Sequence, residues 1–87
     1  QRKRIDFTGH AILKMKILKE HGFKIERNLI EDSISSPDKV EIGYKGRKIA
    51  QKAISPTHVL RVVYEDRLTE MRIITFYPGR KERYEKD

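Results

Sequence analysis

The sequence predicts an α+β domain: two N-terminal helices packed on one face of a four-stranded antiparallel meander. Three observations lead there. Helical periodicity is confined to the chain before Ser36-Pro37-Asp38. After that point apolar and polar residues alternate in strand fashion. Turn signals then recur at near-regular spacing, at Lys45-Gly46, Ser55-Pro56-Thr57 and Glu65-Asp66-Arg67.

Taken in order, a basic start (Arg2, Lys3, Arg4) leads into Ile5-Asp6-Phe7, read as a short strand or an entry arm. Thr8 is placed to cap the first helix and Gly22 to end it. Ala11, Ile12, Met15 and Leu18 share one face of that helix. Leu13 and Ile17 form a second apolar stripe, so the helix is expected to be held from two sides. The second helix runs from about Glu26 to Ser35, burying Ile25, Leu29, Ile30 and Ile34, and Pro37 stops it. Val40, Ile42 and Tyr44 alternate along the first strand of the meander, and Arg47 to Ile54 runs back beside it. "HVLRVVYE" and "LTEMRIITFY" follow, the last strand stopping at Pro78-Gly79.

The chain of 87 residues makes one domain, 1–87, with a modest core, since 37% of it is hydrophobic and 38% charged. Cysteine is absent, which excludes a disulfide framework or a thiolate metal site and makes a cytoplasmic protein the simplest reading. No stretch approaches the ~18 apolar residues of a membrane span. The net charge of +7 favours a polyanionic partner. A heavily charged surface of the heat-adapted kind explains the number of charges but not their imbalance.

His10, Lys14, Ile17 and His21 fall on one helical stripe. A neutral imidazole one turn from an ammonium suits a general base, although an ordinary surface histidine has the same signature. His21 fits a residue facing the helix dipole, and His58 has no charged neighbour in sequence to give it a role. Alternation puts Leu60, Val62 and Tyr64 on one face of the central strand, with Val59, Arg61 and Val63 on the other. Arg61 thus interrupts an apolar stripe. It is either paired with a carboxylate such as Glu41 or Glu70, or a two-pronged phosphate clamp. In the last strand Arg72, Ile74 and Phe76 share one face, and Met71, Ile73, Thr75 and Tyr77 the other. Thr75 and Tyr77 bring hydroxyls to its end, where Arg80, Lys81, Arg83 and Tyr84 crowd together.

There is no HExxH, no glycine-rich phosphate loop and no Gly-x-Ser-x-Gly elbow. What remains is chemistry built from bases, acids and cations around a phosphate, with no metal or cofactor. Cleavage of RNA by its own 2′-hydroxyl is such a reaction.

"FTGHAILKM", "LRVVYE" and "ITFYPGRKERY", in that order, resemble a group of small proteins related to RelE-like and BrnT-like toxins. That group belongs to an assemblage of metal-independent ribonucleases that includes barnase and colicin-type nuclease domains. The resemblance spans roughly Phe7 to Tyr84. It implies a RelE-like domain, with helices packed on a curved antiparallel sheet and RNA on the open side. It also implies a toxin kept silent by a cognate antitoxin protein. The expectation is a metal-independent endoribonuclease whose catalytic residues are His10, Arg61, Tyr77, Arg80 and Tyr84. Lys14, Thr75, Lys81 and Arg83 would bind RNA. His10 or Tyr84 would be the base, and Arg61 and Arg80 the phosphate clamp. The substrate would be RNA, messenger RNA on the ribosome included. Two alternatives stand beside this: a non-catalytic basic RNA- or DNA-binding module, and a toxin acting on a protein such as gyrase.

Overall fold

A computed structural model describes residues 3–84. The order of elements is β1 (Arg4–Phe7), α1 (Gly9–Glu20), α2 (Arg27–Ser35), β2 (Lys39–Ile42), a 3-10 turn (Tyr44–Gly46), β3 (Lys48–Ala53), β4 (His58–Asp66), β5 (Glu70–Arg80) and α3 (Lys81–Tyr84). The α+β class holds. The sheet, however, is five-stranded and mixed, in the order β1-β5-β4-β3-β2, where a four-stranded antiparallel meander was expected. β2 to β5 do form the antiparallel meander. β1 is the addition, lying parallel to β5 from Arg4↔Glu70 to Phe7↔Ile73. Its reason is physical: Ile5 and Phe7 pack against the core, and the strand covers backbone of β5 that would otherwise be an open edge. The sequence offers Ile5-Asp6-Phe7 as a short strand or an entry arm, but not its pairing with the distant β5.

Thr8 caps α1 by accepting a hydrogen bond from the Ala11 backbone N–H at 3.1 Å, and Gly22 ends the turn with φ +91°. Among the described residues α1 is held from one side only, contrary to expectation. Ala11 is fully buried and Met15 and Leu18 pack beside it, while Leu13 and Ile17 stay exposed. α2 buries Ile30 and Ile34, and Ile25 just before it, as its spacing predicts. β2 is an exposed edge strand. Tyr44 does not continue it but sits in the 3-10 turn, where Lys45 and Gly46 both take positive φ.

The core lies between the helices and one sheet face: Ala50, Leu60, Val62, Tyr64, Ile73 and Phe76 meet Ala11, Ile25, Ile30 and Ile34. Strict alternation would have set Ile73 and Phe76 on opposite faces. A β-bulge corrects this, because Val63 pairs with Thr75 but Tyr64 with Ile73, leaving Ile74 as the extra residue. Ile73 therefore joins Phe76 in the core, while Thr75 and Tyr77 keep to the other face.

β5 does not stop at Pro78-Gly79. It runs on to Arg80, with Leu60↔Pro78, Val59↔Gly79 and His58↔Arg80 in register. Among the described residues no second strand flanks β5 beyond Ile73, and such an edge tolerates a residue that has no N–H. The chain then turns back. The Lys81 N–H donates to the Thr57 carbonyl at 2.8 Å, and α3 brings the Tyr84 ring against Gly79. A Cβ on residue 79 would lie 2.3 Å from Tyr84 Cε2, so only glycine permits this approach. The closing stretch is thus folded as far as Tyr84.

Candidate functional site

The register of β3, β4 and β5 sets Gln51, Arg61 and Tyr77 in one row across the sheet, on the face turned away from the core. Arg61 is only 6% exposed, and a guanidinium this buried needs acceptors for its donors. It has them. Its Nε donates to the Tyr77 hydroxyl at 3.0 Å, one terminal nitrogen donates to Gln51 Oε1, and the other to Glu41 Oε1 at 2.7 Å. Glu41 is one of the two partners the sequence allowed. Glu70, the other, pairs with Arg4 at 3.4 Å.

Tyr84 closes the cluster from above. Its ring centroid lies 4.4 Å from the Arg61 guanidinium carbon, a cation–π stack, and 6.5 Å from the Tyr77 ring. The Lys39 ammonium holds the Tyr84 carbonyl at 3.1 Å. The hydrogen bond from Arg61, reinforced by Lys39, holds the Glu41 carboxyl below its ordinary value. The Tyr84 hydroxyl, by contrast, has no hydrogen-bond partner among the described residues.

Lys14 reaches this face from α1, past the stretch of β5 that β1 leaves uncovered. Its Nζ lies 3.4 Å from Thr75 Oγ1 and 5.7 Å from the Tyr77 ring centroid. Burial pushes the ammonium below the ordinary lysine value. No carboxylate pairs with it among the described residues. It is the cation of this cluster left open to an anionic ligand.

Lys14, Arg61, Thr75, Tyr77 and Tyr84 therefore converge, although they come from α1, β4, β5 and α3. The other candidates lie apart. His10 is exposed in the first turn of α1, and no hydrogen bond or ion pair joins it to the cluster among the described residues. Arg80 and Arg83 line a separate open hollow of about 760 Å³ with Phe23, His58, Pro78, Gly79 and Glu82. The Arg80 side chain is 73% exposed, with Glu82 Oε1 4.0 Å away. Lys81 follows directly, half-buried in α3.

Sequence reasoning passed over Gln51, Phe23 and His58. Gln51 was recoverable, since the Ser55-Pro56-Thr57 turn fixes the register that sets it opposite Arg61. His58 was set aside for lack of charged neighbours. It meets Arg80 only because β5 continues through Pro78-Gly79. Phe23 gives no sequence signal beyond being an aromatic residue in a loop. Among the described residues, no three His, Asp or Glu side chains are grouped to hold a metal, and no helix is long and apolar enough to cross a membrane.

No family model, no curated protein and no solved structure matches this chain. What fold and site define is an α+β domain with a polar, aromatic-capped arginine cluster on the open face of its sheet.

Proposed function

We propose that this domain is a metal-independent endoribonuclease of the toxin type, cutting RNA by attack of a 2′-hydroxyl on the adjacent phosphate. The observation that carries the reading is the convergence of Lys14, Thr75, Tyr77 and Tyr84 around Arg61 on the sheet face opposite the core. RNA offers what such a face binds: phosphates for cations, bases for aromatic rings, and a nucleophile of its own.

The environments divide the roles. Arg61 spends its donors on Glu41, Gln51 and Tyr77, so it is a positioning residue that fixes both tyrosines. Tyr84, whose hydroxyl has no hydrogen-bond partner among the described residues, would take the proton of the 2′-hydroxyl as the phenolate, having first given its own proton to solvent. His10, one turn before Lys14 on α1, is the other candidate for that step. Lys14 steadies the phosphate, and its lowered pKa suits the ammonium to hand a proton to the leaving 5′-oxygen. The oxygen–phosphorus bond to the 2′-oxygen forms as the bond to the 5′-oxygen breaks, giving a 2′,3′-cyclic phosphate and a 5′-hydroxyl. Arg80 and Arg83 hold neighbouring phosphates, and Phe23 offers a ring for a base to stack on.

As a toxin the domain would act in the cytoplasm on RNA and be silenced by an antitoxin covering the same face. The test is incubation with RNA in excess EDTA. Cleavage should continue, leave 2′,3′-cyclic phosphate ends and spare DNA. Binding should weaken by orders of magnitude between ~50 and ~200 mM salt, as several phosphate contacts require. One observation favours a second reading. With each of its three nitrogens donating to a protein group, Arg61 is held by the fold without a substrate, as expected of a non-catalytic RNA-binding module. Salt-dependent binding with no cleavage would select that reading.

A further inference from the structure

α1 carries an apolar stripe that no described part of the chain covers. Its packed side is Ala11, Met15 and Leu18. On its outer side Leu13 and Ile17, one turn apart, remain 55% and 43% exposed and line a hollow with His10 and Lys14. Ile12, 49% exposed, opens onto a neighbouring hollow lined by Lys16, Lys19, Lys24 and Arg27. Single exposed leucines are ordinary on a protein surface. Apolar residues repeated at helical spacing, on a helix already anchored by its other side, are less so.

The charge around the stripe says what would cover it. Lys14, Lys16, Lys19 and Lys24 make no ion pair among the described residues. Elsewhere in the same molecule Lys3, Arg4, Arg47, Lys48 and Arg67 each meet a carboxylate. Glu20 and Glu26 are the acids along this surface, too few to balance it. A second copy would bring like charge to like. RNA would satisfy the lysines but leave the leucine and isoleucines in water. A helix with an apolar stripe bordered by glutamates or aspartates satisfies both.

We propose that the outer face of α1 is a docking surface for an acidic amphipathic helix of a partner protein. Leu13 and Ile17 would seat its apolar residues, and Lys16 and Lys19 would pair with its carboxylates. This stands apart from the proposed cleavage, which uses the sheet face.

The probe is a synthetic acidic peptide of about 18 residues, with leucines at helical spacing and glutamates elsewhere. Titrated into the isotope-labelled domain, it should shift the amide signals of Leu13, Lys16 and Ile17 and gain helicity. Leu13→Glu with Ile17→Glu should weaken binding at least about tenfold, as loss of central anchors does. Both positions are exposed, so the fold should survive, and circular dichroism checks this. Lys16→Glu with Lys19→Glu should weaken binding independently. Equal binding of a scrambled peptide of the same composition would reduce the effect to bulk charge and overturn the proposal. So would binding untouched by the Leu13/Ile17 variant. A single-stranded RNA oligonucleotide that shifts the same amides, and is weakened by that same variant, would reassign the face to nucleic acid.

Discussion

Arg61 and Arg80 read alike in the sequence in one respect, each as an arginine able to clamp a phosphate. The fold separates them. Arg61 is shut under Tyr84 with Tyr77, Gln51 and Glu41 as acceptors, whereas Arg80 stands in water with a marginal contact to Glu82. The same side chain is an organiser in one place and a free cation in the other. Whether an arginine can serve a ligand depends on which acceptors the fold has already given it.

The largest expected effect lies on the buried side of this comparison. Arg61→Ala should destabilise the domain by about 2–3 kcal/mol in chemical denaturation. That is below the range for a fully buried pair, because the Glu41 side chain is still 44% exposed and can rehydrate. Arg61→Lys should recover little, since an ammonium cannot reproduce a planar fork shared among Tyr77, Gln51 and Glu41. A lysine variant as stable as the parent would reduce Arg61 to a simple positive charge.

A smaller effect comes from the carboxylate. Glu41→Gln should cost about 1 kcal/mol or less at neutral pH, as for a partly exposed pair. The pH dependence is more telling. Glu41 is held below its ordinary value of 4.5 by the hydrogen bond from Arg61, so it binds a proton less readily folded than unfolded. Its contribution is complete above that ordinary value and is lost as pH falls through the lower folded one. Glu65, held down by Arg67, and Asp66, held down by Lys3 and Lys48, act in the same sense. Acid unfolding followed by circular dichroism should therefore be less steep in Glu41→Gln, with Glu65 and Asp66 still contributing to the slope. An unchanged acid transition would mean that the Glu41–Arg61 bond adds nothing to stability.

The smallest stability effect belongs to the exposed arginine. Arg80→Ala should leave stability within ~0.5 kcal/mol. It should nevertheless weaken RNA binding and lower the salt slope by about one phosphate contact. If Arg80→Ala unfolds the domain while Arg61→Ala only weakens RNA binding, the assignment of roles is inverted.

Sequence periodicity captured the helices and the meander because burial writes itself into spacing: Ile30 and Ile34 on α2, with Ile25 just before it, and Leu60, Val62 and Tyr64 on β4. It misjudged β5, because the bulge at Ile74 breaks the two-residue period that the argument relies on. It missed β1 as a sheet member, since pairing with the distant β5 is a property of the assembled fold. It read two faces of α1 correctly as apolar but assigned both to this chain, whereas the described residues cover one. The cluster was visible as a list of polar residues, and Thr75, Tyr77 and Tyr84 were on it. The sequence left Arg61 open between a carboxylate pair and a phosphate clamp; the pair is what the fold makes, with Gln51 and Glu41 arriving from two other strands.

The most direct test of the central claim is a DNA oligonucleotide carrying a single ribonucleotide, incubated with the domain in EDTA. The account predicts one cut, directly after the ribonucleotide, leaving a 2′,3′-cyclic phosphate. It also predicts a rate loss of ~10²–10⁴-fold in Lys14→Ala, and of similar size in Tyr84→Phe if that hydroxyl is the base. Cutting of the all-DNA strand, arrest of the reaction by EDTA, or an intact chimera that is nevertheless bound would contradict it.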